Sequence, residues 1–154
     1  MRYFRLAEAE QVLPEVERHL RDALFYKAEY ERVHTDIENT LERIRQSGGA
    51  RIDPVQQAAL RTERDAHVRK LQEAMNEVEN LGALVKDLDI GLLDFMARYQ
   101  GHDVCLCWKL GEDAIHFWHG AEEGFRGRKA IDDDFRQNHT GEALSEDTQD
   151  GAPN

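Results

Sequence analysis

DVCLCWKLGEDAIHFWHG (Asp103–Gly120), with VKDLDIGLLDF (Val85–Phe95) just before it, decides the fold of this chain. The two stretches hold both cysteines, Cys105 and Cys107, both tryptophans, and His116 and His119, with His102 just outside their edge. Apolar and polar residues alternate with the period of two that marks strands. Asp89-Ile90-Gly91, Gln100-Gly101-His102 and Leu110-Gly111-Glu112-Asp113 supply turns between them. The spacing predicts short strands over Val85–Leu88, Leu92–Phe95, Val104–Lys109 and Ala114–His119, an antiparallel sheet of about four strands within residues 83–120. If Lys109 pairs with Ala114, then Trp108 faces Ile115, Leu106 faces Phe117 and Val104 faces His119 on an apolar side. Cys107 then lies beside His116, and Cys105 beside Trp118, on the other side.

Upstream of Gly82 the texture changes to charged sequence with helical spacing. A first helix, over about residues 7–46, opens at Leu6-Ala7-Glu8 and carries Val12, Val16, Leu20, Ala23, Tyr30, Val33, Ile37, Leu41 and Ile44 at steps of three and four. Pro14 requires that helix to begin close before it, because proline suits only a first turn. Ser47-Gly48-Gly49 ends it. Asp53-Pro54 starts a second helix, over about residues 54–81, as an N-cap followed by proline at the first helical position. Its apolar face runs through Val55, Ala59, Ala66, Leu71, Met75, Val78 and Leu81. A short turn makes the two helices antiparallel neighbours resembling a coiled coil, weakest where Arg61–His67 offers only Ala66 to the seam.

At 1.5 Å per residue the helices reach ~55 and ~42 Å, so the start of the first outruns the second. The strand block is the nearest cover for that unpaired apolar face. The expected fold class is α+β: a long antiparallel helical hairpin followed by a small antiparallel sheet. It forms a single domain over residues 1–138, with a basic loop over residues 121–131. Residues 139–154 are polar and acidic, without core residues, and read as a disordered tail.

With 154 residues, 40% hydrophobic and 33% charged, the chain is long enough for one buried core. Its net charge of −11 repels phosphate and argues against general nucleic-acid binding. Part of that charge, −6, lies from Ile131 to Asn154, but the body is acidic as well. No window approaches the ~20 apolar residues of a membrane span. The start, MRYFRLAEAEQVLPEVERHL, has no signal-peptide core, so the expected compartment is the cytoplasm. Cys105 and Cys107 are too close in the chain for an unstrained disulfide, and reduced thiols suit that compartment.

Several ordered motifs are similar to the bacterial domain-of-unknown-function family numbered 2203. They are Val85-Lys86-Asp87, Gly91-Leu92-Leu93-Asp94-Phe95, Leu106-Cys107-Trp108-Lys109-Leu110-Gly111-Glu112, Trp118-His119 and Gly127-Arg128. The opening Tyr3-Phe4, Ala7-Glu8-Ala9 and Leu13-Pro14 resembles the family's start, and the likeness spans roughly residues 3–131. Met96 and Ala130 stand where the family often has proline, which bears on loop shape. The family has no assigned activity, so the resemblance implies a fold and leaves the chemistry to the residues.

Three sets of residues carry candidate chemistry. Cys105, Cys107 and His116 share a face in the expected register, and thiolate with imidazole suits zinc or another borderline-soft divalent metal, although no CxxC or HExxH spacing is present. Read blandly, the cysteines are small apolar core residues. Asp87, Asp94 and Glu112 gather at turns and strand ends, with Trp108 as a wall and His119 as an acid–base group, a ligand-binding pocket if they converge. Ordinary turn chemistry explains the same carboxylates. Arg126-Gly127-Arg128-Lys129 is a basic loop whose side chains have the acidic body to pair with, and it lacks the strand and helix of a phosphate-binding loop.

The reading that follows is a non-enzymatic, dimeric interaction or scaffold protein of the bacterial cytoplasm, without a required cofactor. It would act through a homodimer or a protein partner, using Phe25, Tyr26 and Tyr30 off the helical seam. The alternative is a metal- or small-ligand-binding protein, hydrolytic if catalytic, using Cys107, His116, His119, Glu112 and Asp94.

Overall fold

The structure, a computed structural model, describes residues 1–48 and 53–142. The helices are α1, Leu6–Gln46, and α2, Pro54–Asn80, followed by β1 (Leu84–Asp87), β2 (Leu92–Tyr99), β3 (His102–Lys109) and β4 (Phe117–Gly120). A 3-10 turn over Phe125–Gly127, β5 (Lys129–Ala130) and α3 (Asp133–Asn138) complete the described chain. The α+β class holds, with a five-stranded antiparallel sheet in the order β1-β2-β3-β4-β5 rather than four strands. The fifth strand lies in the segment expected to be a basic loop, where Lys129 and Ala130 pair with Trp118 and Phe117. The chain divides into two compact units, Glu15–Asn80 and a sheet unit formed by Met1–Pro14 with the chain from Leu81 onward.

In the helical unit, α1 and α2 bury Val16, Leu20, Ala23, Val33, Ile37, Ala74 and Val78, with Gln57 as the buried polar residue. Asp53 caps α2 as expected, its Oδ1 accepting the Val55 and Gln56 amides at 3.0 and 3.2 Å. Ser47 Oγ donates to the Arg43 carbonyl and Gly48 turns with φ +71°, while Gly49 lies outside the described residues. The middle of the hairpin is polar. Between Ala23 and Val33 the ring of Tyr26 tilts against His67, and Arg32 bridges Glu63 at 3.1 Å. That is the stretch where the second helix has little apolar side chain to offer. Pro14 is not in the first turn: it sits nine residues into α1, and the boundary between the two units falls immediately after it.

In the sheet unit, the first turns of α1 bury Leu6, Ala9 and Leu13, while Val12 is only half-buried, so the apolar stripe starts one residue away from its expected line. Phe4 packs edge-on to Phe95, and its ring lies where any side chain at Gly82 would sit, 2.5 Å from a built Cβ. Gly82 also has φ +96°, so the turn from α2 into β1 needs glycine on both counts. The first four residues of the expected tail are held. Thr140 exchanges backbone hydrogen bonds with Arg98, and the Glu142 amide donates to the Tyr3 carbonyl. Residues 143–154, the rest of that segment, lie outside the described residues.

The β3–β4 register differs by one residue from the expected pairing. Cys107 pairs with Phe117, Leu106 with Trp118, Cys105 with His119 and Val104 with Gly120. The connection is longer than a four-residue turn because Glu112 folds back. Its Oε1 accepts the Lys109 amide at 2.7 Å, its own amide donates to the Lys109 carbonyl, and its carbonyl accepts Trp108 Nε1–H. Ile115, expected on β4, is instead buried within this connection. A slip of one exchanges the two faces of a strand, so His119 joins the cysteines and Trp118 joins Leu106.

Candidate functional site

One face of the central three strands carries Asp94 and Met96 from β2, Cys107 and Cys105 from β3, and Phe117 and His119 from β4, in two adjacent rows. Asp94, Cys107 and His119 are 2%, 0% and 3% exposed. Their ligand atoms, a carboxylate oxygen, Sγ and an imidazole nitrogen, lie within 4.8 Å of one another. Two of the three were expected in a carboxylate-lined pocket and the third in a thiol–imidazole site. All three belong to the wider set expected for a metal or small ligand, of which His116 and Glu112 pair elsewhere; the register brings the three together.

The protonation of His119 follows from its partners. Nδ1 lies 2.8 Å from the Gly120 carbonyl and Nε2 lies 3.1 Å from Asp94 Oδ1. The carbonyl can only accept, so Nδ1 carries a proton, and a second proton on Nε2 would be held by the Asp94 carboxylate. The His119 pKa is accordingly pushed up to about 10, first by the Asp94 hydrogen bond, then by Cys107, against the desolvation that opposes charge. Burial, with Asp94 second, pushes the Cys105 thiol up to about 12, and its Sγ rests 3.7 Å from Met96 Sδ.

The remaining expected residues are placed apart from this cluster or at its edge. His116 is exposed and pairs with Asp113 at 2.7 Å, which holds the Asp113 carboxyl below its ordinary range. Asp87 accepts the Asp89 amide at 3.0 Å, a turn contact. Trp108 is buried and tied to the Glu112 carbonyl. Glu112 forms a two-pronged ion pair with Arg128, at 3.0 Å through each oxygen, and the Arg128 guanidinium lies 3.9 Å above the Phe117 ring. Lys129 holds both oxygens of Glu123 at 2.8 and 2.9 Å. The basic loop is therefore committed, at Arg128 and Lys129, to carboxylates of this chain. The sequence reading missed Met96 and the Gly120 carbonyl, and only strand pairing could have supplied them. It saw Arg128 without its partner.

A cavity of about 790 Å³ opens at the β2–β3 turn, lined among others by Tyr99, His102, Asp103, Trp118 and Glu123. Asp94, Cys107 and His119 do not line it. No helix among the described residues is long and apolar enough to cross a membrane.

Residues 2–131 match the family described as Uncharacterized conserved protein (DUF2203). No curated protein and no solved structure matches the chain.

Proposed function

The chain belongs to the DUF2203 family, whose description names no activity, and on the geometry of its sheet we propose that it is a non-enzymatic protein holding a divalent cation at Asp94, Cys107 and His119. The observation that carries this reading is the convergence of an oxygen, a sulfur and a nitrogen donor within 4.8 Å on one buried face. Zinc bonds of 2.0–2.3 Å in tetrahedral geometry need ligand atoms about 3.3–3.8 Å apart, so small inward adjustments suffice. The Nδ1 contact to the Gly120 carbonyl supports it further: metal-bound imidazoles commonly donate their other N–H to such an acceptor, which aims Nε2 at the ion. In that reading the cation takes the place of the proton between Nε2 and Asp94. Mixed oxygen, nitrogen and sulfur donors suit zinc and its neighbours better than magnesium or calcium.

Catalysis has less support. A nucleophilic cysteine needs a base with a free nitrogen and a route for substrate, whereas both nitrogens of His119 are engaged and Cys107 is fully buried. Protein purified without added metal should contain about one equivalent of zinc or a similar ion. Asp94→Asn, Cys107→Ala and His119→Ala should each lose it, while His116→Ala should keep it. Metal-free protein whose melting temperature does not respond to excess zinc would overturn the proposal.

A second reading rests on the helical unit. Phe25 is 58% exposed and Val55 78%, and the described part of α2 buries only Gln57, Ala74 and Val78. Such a thin seam favours association of this unit with a second copy, the dimeric interaction role. Light scattering should then return about twice 17.8 kDa, and Phe25→Asp should shift it toward monomer. A monomer at high micromolar concentration would sink this reading.

A further inference from the structure

Cys105 shares its row with His119, lies one row from Asp94 and Cys107, and has no role in a three-ligand site. It is the Cα partner of both Met96 and His119, and it stands two residues from Cys107 on the same face of β3. Its side chain is buried, and its Sγ meets Met96 Sδ at 3.7 Å, outside the group of ligand atoms that lie within 4.8 Å of one another.

We infer that Cys105 is the fourth ligand of the same centre, which makes it a closed Asp–Cys–Cys–His site in which a thiophilic divalent cation such as zinc has no open coordination position. The inference rests on the metal-binding reading of Asp94, Cys107 and His119. Residues two apart on a strand have Cα atoms about 6.6 Å apart with side chains on one side. That spacing strains a disulfide, whose sulfurs stand 2.05 Å apart, but it suits two sulfurs about 3.8 Å apart sharing one tetrahedral ion. Moving Cys105 Sγ from one staggered χ1 well to the next displaces it by about 3 Å, and joining the ion requires a move on that scale. On binding, each thiol and the imidazole Nε2 release a proton to solvent as their bonds to the ion form, and no electron is transferred.

Two thiolates, a carboxylate and a neutral imidazole around a divalent ion leave one net negative charge. A cationic group is at hand to offset it: the Arg128 guanidinium, forked to Glu112, lies 3.9 Å above the ring of Phe117, the strand partner of Cys107. A closed, dry four-ligand centre is the signature of a structural metal, in keeping with the burial of all four side chains.

The test is the sulfur count around cobalt or zinc in the full-length protein, read by X-ray absorption and by the thiolate charge-transfer band of the cobalt form. Two sulfurs are expected in the unmodified protein and one in Cys105→Ala, with at least tenfold weaker binding in the variant. One sulfur in the unmodified protein, unchanged in Cys105→Ala, overturns the fourth ligand and leaves the three-ligand site standing. No stoichiometric metal in either protein overturns both. The count in the unmodified protein decides the matter even if the variant folds poorly.

Discussion

Tyr99 shows how one hydroxyl reports on its surroundings. Its phenol donates to Asp134 at the start of α3, and its ring packs on Trp118 and Phe135, with centroids 5.3 and 4.8 Å away. The Tyr99 pKa is pushed up to about 12, first by the hydrogen bond to Asp134, then by burial. The fold therefore favours the protonated phenol. The stabilisation is fully present below the ordinary phenol pKa of about 10 and is lost as pH rises through about 12. Near-ultraviolet titration should show a tyrosinate band appearing near pH 12 that is missing in Tyr99→Phe. Asp134→Asn should move that band to lower pH; an unmoved midpoint would show that Asp134 is not its cause. Residue-scale chemistry of this kind was hidden in the sequence, where Asp132-Asp133-Asp134 reads as an acidic run. Asp132 instead caps α3 through the Phe135 amide at 2.8 Å, and Asp134 meets an aromatic residue 35 positions away.

Elements divide into those specified locally and those specified at a distance. The two long helices were legible because their spacing, the Asp53-Pro54 start and the Ser47-Gly48 end are local signals. The strands were legible as strands. Their partners were not, because Ile115, Phe117 and Trp118 are apolar on both faces and period-two patterning cannot choose between registers one residue apart. The choice is made by Glu112, which seals the β3–β4 connection from within, and this moved His116 out of the candidate site and His119 into it. The start of α1 is another long-range case. Arg5 supplies no capping oxygen; Glu8 Oε1 accepts the Arg5 amide at 3.2 Å, and His139 Nε2 accepts the Leu6 amide at 2.8 Å. His139 Nδ1 donates to the Phe135 carbonyl at 2.6 Å, which fixes the tautomer that leaves Nε2 free to accept. Its ring also stacks on Phe135, 4.9 Å between centroids. Losing this cap should cost about 0.5–2 kcal/mol, the usual range for an N-cap. His139→Ala should lower the denaturation midpoint accordingly. His139→Phe, which keeps the stack and loses the acceptor, should lose most of the same amount; if it is as stable as the unaltered protein, the stack and not the cap matters.

Taken whole, the molecule spreads its stability unevenly. Every residue of β2 except Arg98 is buried, and β3 is buried from Val104 to Trp108, whereas α2 buries three side chains along 27 residues. Amide hydrogen exchange should therefore be slowest in β2 and β3 and fastest in the half of α2 before His67. Equal protection across both units would show that the helical seam is stronger than its side chains suggest, as a tight dimer would make it. The same unevenness bears on how the chain comes into being. The Leu6 amide is made early on the ribosome, and the imidazole that receives it follows only 133 residues later. At about 5–20 residues per second, the opening of α1 waits about 7–27 seconds for its partner. The hairpin from Glu15 to Asn80 is a compact unit whose residues are all made before that histidine. The strands from β1 to β4 have all their partners by Gly120, whereas the first turn of the chain's first helix is closed only by a residue near the far end.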